Sequence, residues 1–411
     1  MIRHLEQPLL PLPGLRRIMA DLAPVHAASA LVGFVFAASG PVAIILAVGT
    51  RGGLSEAELS SWIFGAFFLN GLLSIGFCLA WRQPLVFFWT IPGTVLVGPA
   101  LDHLTFPQVI GAFYATGLLM LVLGLSGWVR RAMEAVPMPI VMGMVAGVFL
   151  RFGLDWVLAF RDGFWIAAPM TAAFIGVSAW TPLARLCPPL IAALAVGIGA
   201  TLALGAFAPD ADLSFTLARP VLQAPVFSWQ ALVELVVPLA ITVLVVQNGQ
   251  GIAILTAAGH RPPINAIAAA CGAVSLLCAA VGTASTCLTG PVNAIISAAG
   301  DKHRQYTAGI VVGLLALAFG LLAPVFTRFM LATPAAFIAT LAGLAMLRVL
   351  QNAFTVAFRG RFTLGALVTF LVTVSGIAIA NIGAPFWGLV FGFAVSWLLE
   401  REDFRSGATP A

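Results

Sequence analysis

Long apolar stretches, each closed by a charge, a proline or a glycine, recur along the whole chain. They run near 24–49, 58–81, 86–101, 108–128, 136–153, 163–181 and 188–206. A polar, proline-containing connection, PDADLSFTLARPVLQAP (209–225), interrupts the pattern. It resumes near 230–255, 263–281, 283–298, 306–327, 332–350, 363–381 and 384–399. About 20 residues rising about 1.5 Å each cross a hydrocarbon layer of about 30 Å, so these runs predict fourteen transmembrane helices, seven on each side of the connection.

Composition leaves no aqueous alternative. The 411 residues are 61% hydrophobic and 9% charged, whereas soluble domains carry roughly a quarter charged residues. The net charge of +5 does not point to nucleic acid, because the basic residues form no patch or aromatic-interleaved stripe. Their distribution reports topology. With the N-terminus inside, fifteen of the twenty Lys and Arg residues fall on the cytoplasmic side; only Arg51, Arg151, Arg161, Arg219 and Arg328 fall outside. The expected layout is a cytoplasmic lead (1–23), a first repeat (24–206), a periplasmic connection (207–229), a second repeat (230–399) and a cytoplasmic tail (400–411), within a bacterial inner membrane. The lead has no signal-peptide h-region or cleavage site. Cys78, Cys187, Cys271, Cys278 and Cys287 show no metal-type spacing and read as small core residues.

An odd number of spans per half forces a repeated half to insert upside down. VAGVFLR (145–151) resembles LAGLAMLR (341–348), spans seven and fourteen open at Pro189 and Pro385, GTVLVGP (93–99) matches GTASTCLTGP (282–291), and VAII (42–45) echoes IAIL (252–255). The expected fold is therefore all-α and polytopic, a 7+7 inverted repeat.

Spans three and ten are the chemically informative ones. Pro92, Gly93, Gly98 and Pro99 crowd TIPGTVLVGPAL (90–101), while GTASTCLTGPVN (282–293) carries five hydroxyl or thiol side chains. Such segments break, and helices starting after Gly93 and Gly282 would aim positive ends at one cavity and attract a carboxylate. No cation is fixed beside them in the sequence. Small residues at these places also suit tight helix packing. Span eight carries VVQNGQG (245–251), whose amides are costly in a membrane unless they face a cavity or a partner helix. The candidate substrate-binding residues are Gly93, Thr94, Gln247, Asn248, Gln250, Thr283, Ala284, Ser285 and Thr286. Phe87, Phe88 and Trp89, just before the first break, suit a flat ring or a lipid interface equally.

VQNGQGIAIL (246–255), TASTCLTGPVNAI (283–295) and the fourteen-span layout together resemble the bacterial benzoate:proton symporters of the BenE type. The resemblance covers nearly the whole chain. It implies kinship in fold with nucleobase/ascorbate and sulfate permeases, whose repeats form a core and a gate domain with substrate held between spans three and ten, flanked by spans one and eight. It further implies proton-coupled import of benzoate or a similar aromatic monocarboxylate by alternating access; a permease for another anion or a nucleobase is the competing reading. Many proton-coupled nucleobase relatives carry a glutamate in span eight, where this chain has Gln247 and Asn248. Asp155 and Glu234 are the remaining proton-coupling candidates, with His26 and His103 near span ends. Neither a catalytic constellation nor a nucleotide-binding motif is present, so no enzyme activity, cofactor or metal is expected. The expected partners are substrate, proton and lipid bilayer, and a homodimer is compatible with the sequence.

Overall fold

The computed structural model describes residues 5–8, 11–129, 131, 137–180, 188–208, 214–298, 300–380 and 382–405. Arg3, Arg130, Arg185, Cys187, the start of the connection and the end of the tail lie outside the described residues. Among those described, seven helices are long and apolar enough to cross a membrane, and six apolar helices of 10–17 residues accompany them. The eight-residue helix Gly290–Ser297 completes fourteen segments.

Boundaries depart from the sequence reading where charge or proline misleads. Spans 5 and 12 run on to Asp162 and Ala357. Their ends carry polar residues that an apolar-run criterion cuts off, such as Asp155, 3.9 Å from Arg151 one turn back along the helix. Span 11 stops at Leu321, and a separate helix follows at Ala323–Leu331, with proline at its second position. Span 1 is broken into Pro24–Ala38 and Gly40–Arg51, with Ser39 outside helical geometry (φ −92°, ψ −99°). Pro41 has no N–H to donate to the preceding turn, which explains the break. Span 8, Trp229–Ala257, is continuous but contains π-helical stretches at Leu232–Val236 and Thr242–Asn248.

Spans 3 and 10 are half strand, half helix. Strand β1 (Phe87–Trp89) leads into helix Ile91–Ala100, and β2 (Thr286–Leu288) leads into Gly290–Ser297. The helices begin after Thr90 and Thr289, not after Gly93 and Gly282. This corrects the repeat register: Thr90-Ile91-Pro92 corresponds to Thr289-Gly290-Pro291, so GTVLVGP and GTASTCLTGP are not the equivalent segments.

Packing separates two bundles. Spans 5, 6, 7, 12, 13 and 14 pack on one another as a gate, and spans 1–4 and 8–11 form a core. The pairs obey the repeat. Contact 4·9 becomes 11·2 when the halves are exchanged, 6·7 becomes 13·14, and 1·3 becomes 8·10; all six interfaces are present. Glycines allow the close approaches, as where Gly272 meets the Leu121 backbone, in keeping with small residues at membrane helix interfaces. Cys78, Cys271, Cys278 and Cys287 are buried.

Candidate functional site: a one-sided cavity at the crossed half-helices

An extended backbone inside a bilayer exposes N–H and C=O groups that water cannot reach, at several kcal/mol each. The two broken spans satisfy each other. β1 and β2 pair antiparallel, Phe87 opposite Leu288, Phe88 opposite Cys287 and Trp89 opposite Thr286. Beyond the strands, Thr90 N donates to Ser285 O (2.8 Å) and Thr289 N to Val86 O (3.1 Å).

Side chains complete the set. Phe87 N donates to Ser74 Oγ (2.8 Å), Thr286 N to Ser275 Oγ (2.9 Å) and Leu288 N to Asn248 Oδ1 (2.7 Å). Asn293 bonds Val86 at both ends: its Oδ1 accepts from Val86 N (3.0 Å), and its Nδ2 donates to Val86 O (3.0 Å) and Thr289 O (2.7 Å). This carboxamide acts as a piece of a third strand.

The helix starts that emerge from this crossing line a cavity of about 820 Å³ between core and gate. Ile91, Pro92, Thr289 and Pro291 bring the two helix N-termini to its wall. The ends differ: Thr90 Oγ1 accepts from Gly93 N (3.1 Å), whereas no side chain caps the helix of span 10. Uncapped N–H groups and the helix dipole together favour an anion. Gln247 and Gln250 of span 8 line the same space, and Gln250 packs so closely on Gly290 that a Cβ there would collide with it. The remaining wall is chiefly apolar, with Phe36, Phe88, Trp89, Met142, Phe149 and Phe174. Phe88 and Trp89 are buried, so they face the cavity rather than lipid.

The cavity opens on one side only of the molecule's midplane. Met138, Ser178, Pro188, Asn352 and Val356 at its mouth all sit at span ends on the side of the N-terminal helix Leu15–Asp21. On the opposite side core spans are tied to one another, spans 1 and 3 by Arg51 Nη2 to Asp102 Oδ2 at 2.8 Å and spans 3 and 8 by His103 Nε2 to Glu234 Oε2 at 2.9 Å. Glu234 is 4% exposed and packs against Gly383, the residue that opens span 14.

Of the nine residues singled out from sequence, Gln247 and Gln250 line the cavity. The others stand behind its wall. Thr94 Oγ1 donates to Thr90 O (2.9 Å), Thr283 Oγ1 donates to Trp62 O (2.8 Å), Asn248 holds β2, and Gly93 N binds its own cap. Ala284, Ser285 and Thr286 are buried in or beside β2. Asp155 is half-buried beside Arg151 and is not among the residues that line the cavity. Thr90, Thr289, Asn293 and Arg348 escaped the sequence reading. The first two had a signal, a threonine N-cap two residues before proline. Arg348 lines the same cavity at its mouth, on span 12.

Gln247→Ala and Asn248→Ala should therefore differ. The first removes a cavity-lining amide and should weaken uptake by up to about tenfold at unchanged thermal stability, since a net hydrogen bond is worth about 0.5–1.5 kcal/mol. The second orphans Leu288 N–H and should lower both uptake and melting temperature. Equal melting temperatures for wild type and Asn248→Ala would contradict the supporting role.

The chain resembles known proteins in sequence and in fold. The chain is 30% identical to "Inner membrane protein YdcO" of Escherichia coli over 366 residues, covering 88% of this chain and 91% of that one. It is 28% identical to a "Benzoate membrane transport protein" of Acinetobacter baylyi, covering 88% and 92%. In fold it matches the transmembrane domain of the cyanobacterial bicarbonate transporter BicA (TM-score 0.60, 16% identity, 93% of this chain and 98% of that one). It also matches SLC26A9 (TM-score 0.65, 14% identity, 90% and 64%). These likenesses bear out the 7+7 inverted repeat. Residues 20–398 match the benzoate membrane transport protein family, BenE, and the chain, a multi-pass membrane transporter, belongs to that family.

Proposed function

We propose that the protein imports benzoate or a similar aromatic monocarboxylate together with protons, by alternating access. The observation that carries this reading is the uncapped helix N-terminus of span 10 opening into an apolar, one-sided cavity. The helix end suits a carboxylate, and the Phe, Trp and Met wall suits an aromatic ring. A helix end gives a weaker, more reversible hold than a buried guanidinium, which suits a carrier that releases its cargo. A small hydrated anion, such as the bicarbonate named for BicA, would gain nothing from that wall. A nucleobase fits the flat site and the Gln amides but makes no use of the positive helix end.

With the N-terminus cytoplasmic, the open mouth faces the cytoplasm, and on the periplasmic side Glu234 of the core meets the gate at Gly383. Glu234 is the better proton-coupling candidate of the two, because it is buried and touches the gate at Gly383, whereas Asp155 is half-buried, pairs with Arg151 and does not line the cavity.

Uptake of labelled benzoate into right-side-out vesicles tests the proposal, with a membrane-impermeant thiol label on a cysteine placed at Leu217 reporting orientation. An inward proton gradient should drive concentrative uptake that a protonophore abolishes. Benzamide, lacking the charge, should compete poorly, and Glu234→Gln should keep benzoate exchange while losing accumulation. Competition by benzamide as strong as by benzoate, or accumulation indifferent to protonophore, would defeat the reading; bicarbonate and uracil as competitors decide between the alternatives.

A further inference from the structure

Among the described residues that line the cavity, one is charged: Arg348. It stands on span 12, in the gate, whereas the helix ends and amides belong to the core. It is exposed at the mouth, and its Nη1 donates to Gln351 Oε1 at 3.0 Å. Gln351 is neutral, so this contact orients the guanidinium without cancelling its charge. No ion pair among the described residues involves Arg348. Asn352, four residues on and therefore on the same helix face, lines the cavity as well.

We propose that Arg348 is an outer carboxylate station, distinct from the helix ends, that captures the aromatic anion at the open mouth and receives it again on release. This rests on the carboxylate reading above. A lone cation at the rim of a low-dielectric funnel concentrates anions there. Its exposure keeps each encounter weak, as a residue that must let go requires. A guanidinium also stacks on aromatic faces, which an ammonium does less well, so the station favours aromatic over aliphatic carboxylates. Its place on the gate means that movement of gate against core separates the two stations.

Equilibrium binding of labelled benzoate to the purified full chain in detergent, at low and high salt, tests this. Wild-type affinity should fall as salt rises. Arg348→Gln should bind about two- to fivefold more weakly at low salt, the scale of one exposed charge pair, and should lose most of the salt dependence. Arg348→Lys should keep that dependence. Asn352→Asp, with Arg348 intact, should reproduce the loss by pairing with the guanidinium. Unchanged affinity and salt slope in Arg348→Gln, or equal losses in the Gln and Lys variants, would overturn the station while leaving the helix-end site standing. Should Arg348→Gln fail to fold, undiminished binding by Asn352→Asp overturns it instead. Absence of benzoate binding by the wild type would defeat the carboxylate reading itself.

Discussion

Asn293→Leu is expected to lower the melting temperature markedly and to abolish uptake in the same variant. Leucine is close to asparagine in size but removes three hydrogen bonds, two to Val86 and one to Thr289 O. Val86 is fully buried, so its N–H is left with no water to replace the lost acceptor, while its C=O keeps the bond from Thr289 N. Orphaning one buried polar group costs about 1–3 kcal/mol, and the lost amide donor adds to it, so the penalty is on the order of 3 kcal/mol at most. The strand crossing that carries both helix starts would then be free to shift, and the site with it. Asn293→Asp keeps the acceptor for Val86 N and loses the amide donor, so it should fall between leucine and wild type. Thermal unfolding in detergent beside vesicle uptake reads both effects. A leucine variant that melts and transports like wild type would show that the carboxamide does not hold the crossing.

Span count and two-half organisation were legible because bilayer thickness imposes a length on every apolar run, and because charges at the ends of short loops report sidedness. The location of the breaks was legible too, since Pro92, Gly93, Gly290 and Pro291 crowd short segments. The register within those breaks was not. Hydroxyl-rich similarity aligned Gly93 with Gly282, while the fold aligns Thr90 with Thr289, because capping geometry and strand pairing decide where a helix starts and a string of small residues does not.

The same limit explains the candidate residues. A polar side chain within a span is equally costly whether it faces a ligand or a neighbouring backbone, so Gln247, which lines the cavity, and Asn248, which holds β2, looked alike. Only the three-dimensional direction around the π-helical stretch Thr242–Asn248 separates them. Arg348 was hidden for another reason: it lies far in sequence from the broken spans and reads as an ordinary interfacial charge until spans 3, 10 and 12 are brought to one cavity.

Gly40→Ala is expected to reduce uptake about tenfold or more, and Ala345→Gly in the same chain is expected to restore much of it. Gly40 opens the second half of span 1 in the core, and Ala345 faces it from span 12 in the gate. A Cβ on Gly40 would overlap the Cβ of Ala345, and its next obstacles are Leu190 Cδ1 and the Ala345 backbone. Neither Cβ can rotate away, so relief requires the two bundles to part by on the order of 1 Å, the distance that separates overlap from ordinary contact. Overpacking of this kind costs about 1–3 kcal/mol, and 1.4 kcal/mol is about tenfold in an equilibrium. The cost falls on the seam along which core and gate would slide, so it should bias the balance between access states and not only the stability of one. Gly33→Ala in the same span is the control: its new methyl meets Val292 Cγ1 at 3.2 Å, within the core, where a side chain can give. The double variant separates seam from fold, because a compensating pair couples only if the two residues touch. Uptake by Gly40→Ala equal to that of Gly33→Ala, or a failure of Ala345→Gly to improve it, would mean that this close approach does not limit the transport cycle.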